Sequence, residues 1–449
     1  MLARHCTEAG LIEKAAGWWG KAGQRSLERS ALVEAIEQLS RALAQIAALP
    51  ATPALRREEI KLQVTLITPL LHIKGYAAPE PRAAVERARL LIEQAEALDE
   101  PLDDPLLLFS VLFGVWVANC VAFDGDTLRE LAAQFLTLAE KQGATVPLMI
   151  GHRIMGFSLL VTGDIAESRA HSDRALALYD PAEHGRLATR FSEDTKVVAL
   201  TNRSLAEWML GYPKSAPADA ARALEHAREL GQAVELMYAL FMGSISDIHC
   251  RDYVTATARL DELVALADEK GALYWKVVGM MCRGCTSALT GKASEAVHTI
   301  TSVITALRST GATFLGPFVL MCLTRAYADL GQFDDAWRCV GEAMTAAETT
   351  KETWDEAEVH RTAGEIALLS PRPDVAKAQA YFERALAVAR AQQARSWELR
   401  AATSLARLWR DQGKRAEAYG LLAPVYGWFT EGFGTPDLRE AKALTKELA

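Results

Sequence analysis

The chain has 449 residues, half of them hydrophobic, and a formal net charge of −8 at pH 7. The acidic balance argues against nucleic acid and against an anionic membrane surface as partners, because both attract a basic patch. The seven cysteines are scattered rather than arranged in the dense framework of a small secreted scaffold, so we expect a reducing, cytoplasmic environment. The alternation of β-branched residues that is typical of strands is missing, which predicts an all-α protein.

The first fifty residues predict an incomplete N-terminal repeat. A short helix ends at Gly10, and a longer helix carrying Trp18 and Trp19 follows. A complete solenoid is expected to begin with a polar cap, whereas Met1 falls inside or just before a repeat. Two phasings of that repeat fit, and the sequence does not choose between them: Gly10, Ala15, Trp19 and Ala22, or Trp19, Gly23, Ala35, Leu39, Ala42 and Leu43.

An apolar stretch of 18 uncharged residues, Leu106 to Phe123, is at the lower length limit for a membrane span. Acidic residues flank it on both sides, and no positive charge is available to anchor either end. We therefore favour a helix buried between neighbouring repeats over a transmembrane helix.

A repeat with regularly spaced helix-ending turns follows, and its clearest unit is Leu323 to Met344. Apolar residues recur at helical spacing on both sides of Gly331, which can take the left-handed conformation that ends a helix. Ala336, five residues later, is small enough for two helices to cross closely. The same spacing recurs at forty-residue intervals at Gly291, Arg251 and Gly211, and further turns fall at Gly163 and Gly413.

Large and small residues placed in this way around a central glycine are typical of the tetratricopeptide (TPR) helical hairpin. The period of about forty residues exceeds the 34 of a TPR unit and alone would favour HEAT or armadillo repeats, another kind of α-solenoid. The spacing from the glycine to the small residue favours TPR-like pairs with lengthened helices. We therefore predict one TPR-like α-α superhelical solenoid of about ten helical hairpins over residues 1–449, with residues 1–50 as the incomplete repeat.

Residues 435–449 predict a helix that caps the C-terminal end of the solenoid. Thr435 is the expected N-cap, with Pro436 at the first helical position and Asp437 in the first turn. The exposed face of this helix is expected to carry Arg439, Glu440, Lys442 and Lys446.

The sequence offers little catalytic chemistry. The string from Leu289 to Ala293 contains a Gly-Lys pair but lacks the upstream glycine and the hydroxyl of a phosphate-binding loop. Cys282 and Cys285 could join His249 and Cys250 in a zinc site, but they fall in mid-helix, where buried free cysteines are common. We therefore expect no enzyme activity, cofactor or metal.

The inner surface of the superhelix is the candidate site. In TPR pairs the first helix of each pair lines the concave face, and transfer of that register predicts which side chains face a partner. Arginine is well suited to grip carboxylates, although a solvated face with local ion pairs is the plainer alternative. The candidate residues are Arg153, Phe157, Met281, Met321, Arg325, Arg361, Glu365, Arg400, Arg407 and Arg410.

Long strings of the sequence, among them AGLIEKAAGWWGKAGQRSLERSALVEA, LGQFDDAWRCVGEAM and YGWFTEGFGTPDLREAKAL, closely resemble the C-terminal TPR region of bacterial class III adenylate/guanylate cyclases. In that family a cyclase domain and an AAA-type P-loop ATPase precede the solenoid. The resemblance covers essentially the whole chain and implies a regulatory, partner-sensing module. No catalytic residue of the family is matched, and Arg251-Asp252 stands where the family usually has a Gly-Asn turn.

Three functional hypotheses follow. The first is a non-catalytic scaffold that binds a protein or peptide, including a cyclase/ATPase domain, as the sensor region of such a signalling protein. The second is a portion of a nucleotide cyclase whose catalytic domains lie outside this chain. The third is the effector-sensing region of a transcription regulator, because similar solenoids accompany DNA-binding domains.

Overall fold

The structure is a computed structural model, and it describes residues 1–75, 78–100, 104–309 and 311–449. Over these ranges the chain forms 23 α-helices and one short 3-10 helix, with no strand, so the all-α prediction is confirmed. The helices are α1 (Leu2–Glu8), α2 (Ile12–Glu28), α3 (Leu32–Ala47), α4 (Pro53–Lys74), α5 (Pro79–Ala97), α6 (Leu106–Val121), α7 (Gly125–Gln142), α8 (Thr145–Val161), α9 (Ile165–Leu178), α10 (Pro181–His184), α11 (Thr195–Met209), α12 (Ser215–Leu230), α13 (Ala233–His249), α14 (Tyr253–Glu269), α15 (Leu273–Leu289), α16 (Ala293–Ser309), α17 (Gly316–Asp329), α18 (Phe333–Thr350), α19 (Glu356–Leu369), α20 (Val375–Ala391), α21 (Arg395–Asp411), α22 (Arg415–Gly427) and α23 (Pro436–Leu448), with the 3-10 helix at Gly185–Thr189.

Left-handed turns end successive helices at intervals of twenty residues through the middle of the chain. The eight residues share φ values between 60° and 94°: Gly211, Gly231, Arg251, Gly271, Gly291, Gly311, Gly331 and Lys351. The predicted forty-residue period is therefore two helix-and-turn units, or one hairpin. The turns predicted at Gly163 and Gly413 are also left-handed, with φ of 89° and 80°.

The small residues predicted at the helix crossings are fully buried. Ala216, Ala256, Ala296 and Ala336 have no accessible surface, as expected where two helices approach most closely. These hairpins stack side by side, and each buries its apolar stripe against the next because neither helix can bury that stripe alone.

At the N-terminus, helices α2 and α3 follow the second of the two phasings. A Cβ atom on Gly23 would lie 2.6 Å from Leu39 Cγ, which marks this glycine as their crossing point. The first phasing describes the turn before it, where Gly10 has a φ of 71° and Ala15 is buried. Leu2, Leu11 and Trp18 are exposed, and the interpretation of residues 1–50 as an incomplete repeat stays a prediction.

The apolar stretch forms α6, which packs against α4, α5 and α7. Leu107, Phe109 and Phe113 are buried, and the indole Nε1 of Trp116 donates a 3.0 Å hydrogen bond to Ser158 Oγ. The prediction of a helix buried between repeats is confirmed. Among the described helices, none combines the length and the apolar character that crossing a bilayer requires.

Successive turns of the superhelix pack against one another. Residues between 186 and 217 positions apart in the sequence are joined by hydrogen bonds, so that successive superhelical turns touch. Such bonds pair Ala233 with Ser30, Trp275 with His72, Ser396 with Trp208, Lys214 with Glu431, and Arg251 with Asp437. The concave face is therefore enclosed between turns instead of forming one open groove.

Candidate binding cavities inside the superhelix

A cavity of about 290 Å³, which we call the charged cavity, lies between α13, α17, α19, α21 and α23. Its apolar wall includes Phe318, Met321 and Trp397, with His249 beside them. Its charged lining consists of five arginines and four carboxylates: Arg251, Arg325, Arg361, Arg400 and Arg407, with Glu358, Glu365, Asp437 and Glu440.

Helix α19 contributes a buried charge cluster to this cavity. The spacing of Glu358, Arg361 and Glu365 places all three side chains on one face of the helix. The Arg361 guanidinium donates to both carboxylate oxygens of Glu358, at 2.6 and 2.7 Å, and also to Glu365. Burial alone would raise the pKa of Glu358, but the charge and hydrogen bonds of Arg361 hold that pKa below its usual value.

Arg400 on α21 is held by three kinds of contact. Its Nε donates to Asp437 Oδ2 at 2.8 Å, and its Nη2 donates to the carbonyl oxygen of His249 at 2.6 Å. The guanidinium also lies 5.0 Å from the ring centres of both Trp208 and Trp397. These contacts fix Arg400 as part of the cavity wall.

Arg251 occupies a turn position where neighbouring repeats have glycine, with a φ of 60°. A left-handed conformation is unfavourable for a residue with a Cβ atom, and tertiary contacts must compensate for it. The Arg251 guanidinium bonds to Asp437 at 3.1 Å and to Glu440 at 2.8 Å, both on the C-terminal helix α23. The arginine at this turn thus supplies a cation that reaches across the cavity.

The C-terminal helix begins as predicted, with Thr435 at the N-cap and Pro436 at the first helical position. The Glu440 side chain, expected on the exposed face, is 39% exposed, and it also lines the cavity, where Arg407 bonds to it at 3.2 Å. Thr435 occupies the N-cap position, yet its side chain makes no capping hydrogen bond. A local helix pattern cannot reveal that the first turn of α23 packs beside arginines of distant repeats.

Arg325 and Arg407 are the most accessible arginines of the charged cavity. Their side chains are 47% and 43% exposed. The nearest carboxylate oxygen to Arg325 belongs to Glu365, at 3.8 Å, which is beyond hydrogen-bond distance. Both guanidinium groups therefore retain the capacity to bind a further anionic group.

Three apolar cavities share walls beside α15, α16 and α17, and we call them together the apolar site. An outer groove of about 570 Å³ opens beside α18, and an inner chamber of about 70 Å³ lies among α6, α8, α13 and α15. A small cavity of about 10 Å³ lies between them, and Phe314 lines all three.

Nine of the ten predicted site residues line one of these two sites. Six of them line the charged cavity: Met321, Arg325, Arg361, Glu365, Arg400 and Arg407. Three line the apolar site: Arg153 and Phe157 in the inner chamber, and Met281 at the groove. Arg410 lines neither cavity and instead pairs with Asp411 and Glu447. Partner binding by any of the ten stays a prediction.

The predicted register places Arg153 and Arg361 on the concave face, but they are buried, at 3% and 9% exposed. Neighbouring hairpins cover them: the Arg153 guanidinium lies 5.1 Å from the Phe113 ring centre, and Arg361 lies beside Ser404 of α21. Arg153 donates to the backbone carbonyls of Phe191 and Glu193, at 2.8 and 2.6 Å, and pairs with the Glu193 carboxylate at 3.2 Å.

His249 has a structural environment that its sequence context did not reveal. Its Nδ1 lies 2.7 Å from the Ile245 carbonyl oxygen, and its Nε2 lies 2.9 Å from Oδ1 of Asp355, the N-cap residue of α19. His249 and Asp355 are both buried and lie 106 residues apart in the sequence, so no local pattern could have paired them. Over the ranges that the structure describes, no three His, Cys, Asp or Glu side chains are arranged to hold a metal ion.

Comparison with known proteins supports the architecture. No protein-family model matches the chain. An uncharacterized protein of Rhizobium meliloti (strain 1021) is 25% identical over 368 residues, covering 80% of this chain and 34% of that protein. The chain thus spans about a third of the length of this relative.

Among solved structures, a Rap protein complexed with Competence and Sporulation Factor superposes with a TM-score of 0.55 at 12% identity, covering 87% of this chain and 100% of that one. The Rap conjugation gene regulator of the plasmid pLS20, in complex with the Phr* peptide, gives 0.46 at 11% identity over 89% and 97% of the two chains. At 12% identity, the similarity to the first of these, the Rap protein, shows the fold alone. The chain is a TPR-like superhelical repeat protein, as the spacing of its turns predicted.

Proposed function

We propose that the chain is a non-catalytic scaffold or regulatory module that binds a protein or peptide partner in the charged cavity. The observation that carries this proposal is the convergence of five arginines from four segments of the chain, the turn before α14 and the helices α17, α19 and α21, on one cavity. Two of them, Arg325 and Arg407, remain substantially exposed after all the internal pairs are made.

The chemistry of the cavity favours a partner segment that carries carboxylates. Five arginines face four carboxylates, which leaves one positive charge in excess, and arginine can hold a carboxylate through two parallel hydrogen bonds. Phe318 and Trp397 offer an apolar surface for a neighbouring side chain of the partner. A volume of about 290 Å³ suits one or two side chains or a chain terminus, not a long stretch of peptide.

The test compares peptides that differ only in charge. Fluorescein-labelled hexapeptides are prepared in pairs, one with Asp or Glu and a free C-terminus, the other with Asn or Gln and an amidated C-terminus. We expect the protein to prefer acidic members, and Arg325→Glu with Arg407→Glu to weaken their binding by at least about tenfold. The urea midpoint should hardly change, because exposed charges contribute little to folding.

The matched control reverses two arginines of similar exposure away from the cavity. Arg228 on α12 and Arg384 on α20 are 54% and 61% exposed, and both pair with carboxylates. Arg228→Glu with Arg384→Glu makes the same change in net charge and should leave peptide binding intact. Equal binding of acidic and amidated peptides, or undiminished binding by the cavity variant, would refute the proposal.

We also propose that this module is the sensor region of a cyclase/ATPase signalling protein. The resemblance of long sequence strings to the TPR region of class III cyclases supports this, and so does a relative that is more than twice as long as this chain. The alternatives, a portion of a nucleotide cyclase and a sensor of a transcription regulator, differ in gene context. Sequencing the codons before Met1 distinguishes them: an in-frame cyclase and P-loop would support the cyclase assignments, and a helix-turn-helix would support the regulator.

A further inference from the structure

Phe314 separates the outer groove of the apolar site from its inner chamber. Its ring lies 5.8 Å from the rings of Phe123 and Phe157 and 6.2 Å from that of Trp354, measured between ring centres. Phe314 belongs to the connection between α16 and α17, and no helix fixes its position.

A buried carboxyl group holds this connection in place. Leu315, the next residue, has a φ of 65°, which is unusual for a branched side chain. Its backbone N–H donates to Glu352 Oε1 at 3.0 Å, and the same oxygen accepts from the Trp354 indole at 3.1 Å. Strained conformations of this kind persist only where surrounding contacts determine them, and they cluster where ligands are held.

The inner chamber is lined mainly by apolar and aromatic side chains, among them Trp116, Phe157, Met242 and Trp275. Two charged residues reach its wall, and they bond to each other: Arg153 pairs with Glu193 at 3.2 Å and with two backbone carbonyls. Neither charge is therefore available to a bound ion.

We propose that the apolar site binds a small uncharged hydrocarbon ligand, which enters through the outer groove and reaches the inner chamber past Phe314. An extended polypeptide does not suit the chamber, because each peptide unit would bring an N–H and a carbonyl that need partners. A dry apolar cavity instead accepts aliphatic or aromatic molecules that make no hydrogen bonds. This site is distinct from the charged cavity, and its ligand differs in class from an acidic peptide.

The experiment uses N-phenyl-1-naphthylamine, a neutral probe that becomes fluorescent in an apolar environment, with 1-decanol as competitor. We expect saturable binding of one probe per chain and its displacement by 1-decanol. Gly341 on α18 lines the outer groove, and a Cβ atom added there meets no atom within 4 Å. Gly341→Trp should therefore fold normally, fill the groove and weaken probe binding by at least about tenfold.

Gly420 provides the matched control, because it also lies inside a helix and also has open space at its Cβ position, but it lines no part of the apolar site. Gly420→Trp should bind the probe as the original protein does. Phe314→Ala should speed probe association, since it removes the ring between groove and chamber. Absence of saturable binding, or equal weakening by both tryptophan variants, would overturn the proposal.

Discussion

Removing the Arg361 side chain should destabilise the fold far more than removing that of Arg325. Arg361→Leu would leave Glu358, which is 6% exposed, with Arg400 at 3.7 Å as its remaining cation partner. Breaking a buried ion pair from one side costs roughly 3–5 kcal/mol, so the free energy of unfolding should fall by about that amount. Arg325→Leu, on a side chain that is 47% exposed and whose ion-pair partner Glu365 is 3.8 Å away, should cost less than about 1 kcal/mol.

Urea unfolding followed by far-ultraviolet circular dichroism measures both losses. Replacing Glu358 as well should recover most of the Arg361 loss, because an apolar pair in place of a buried ion pair is close to neutral. The Arg361→Leu penalty should also shrink as the pH falls below the ordinary pKa of a glutamate, since protonation removes the unpaired charge. An Arg361→Leu protein that unfolds at the original urea midpoint would refute this account.

Two further predictions concern stability. Burial raises the pKa of Glu352 to about 8, whereas its ordinary value is 4.5. Between these two pH values the folded protein therefore holds a proton on Glu352 that the unfolded chain has released. The free energy of unfolding should fall as the pH rises through this range. Glu352→Gln should flatten that slope in urea titrations across this range. A Cβ atom on Gly364 would lie 2.5 Å from Phe382, so Gly364→Ala should lower the thermal midpoint, whereas Gly420→Ala, with open space, should raise it.

The hairpins were predictable because their determinants are local. Gly331 ends one helix and Ala336 marks the crossing with the next, and both lie within a few residues of each other in the sequence. The turns that lie midway between the predicted ones were nevertheless missed. Gly231 and Gly271 fall midway between the predicted turns, and their twenty-residue spacing is visible in the sequence.

The enclosure of the site was not predictable, because it depends on superhelical geometry. A small rotation at every hairpin accumulates until residues about two hundred positions apart meet, and no single repeat encodes that sum. The register taken from an open solenoid placed Arg361 and Arg400 in one cavity, but it did not reveal that Arg361 is buried there. Similarly, no residue near Arg251 in the sequence indicates that a contact with Asp437 compensates for the left-handed backbone conformation of Arg251.

Residues 352–355 line neither site themselves but contact side chains that line both, and we call this segment the shared wall. It determines which substitutions can separate the two binding proposals. Glu352 holds the connection that carries Phe314, and Trp354 stacks on that ring with an interplanar angle of 19°. Asp355, next in sequence, bonds to His249 at the charged cavity. Substitutions within this wall should therefore disturb both cavities, and their effects should not add, because the residues contact one another.

Side chains outside the wall give independent tests. Arg325 and Arg407 line the charged cavity alone, and Gly341 lines the outer groove alone. Charge reversal at the two arginines should abolish the preference for acidic peptides while the neutral probe still binds. Gly341→Trp should instead weaken binding of the neutral probe while the preference for acidic peptides remains. Loss of both activities in either variant would mean that the cavities act as a single site, since no residue changed in these variants belongs to the shared wall.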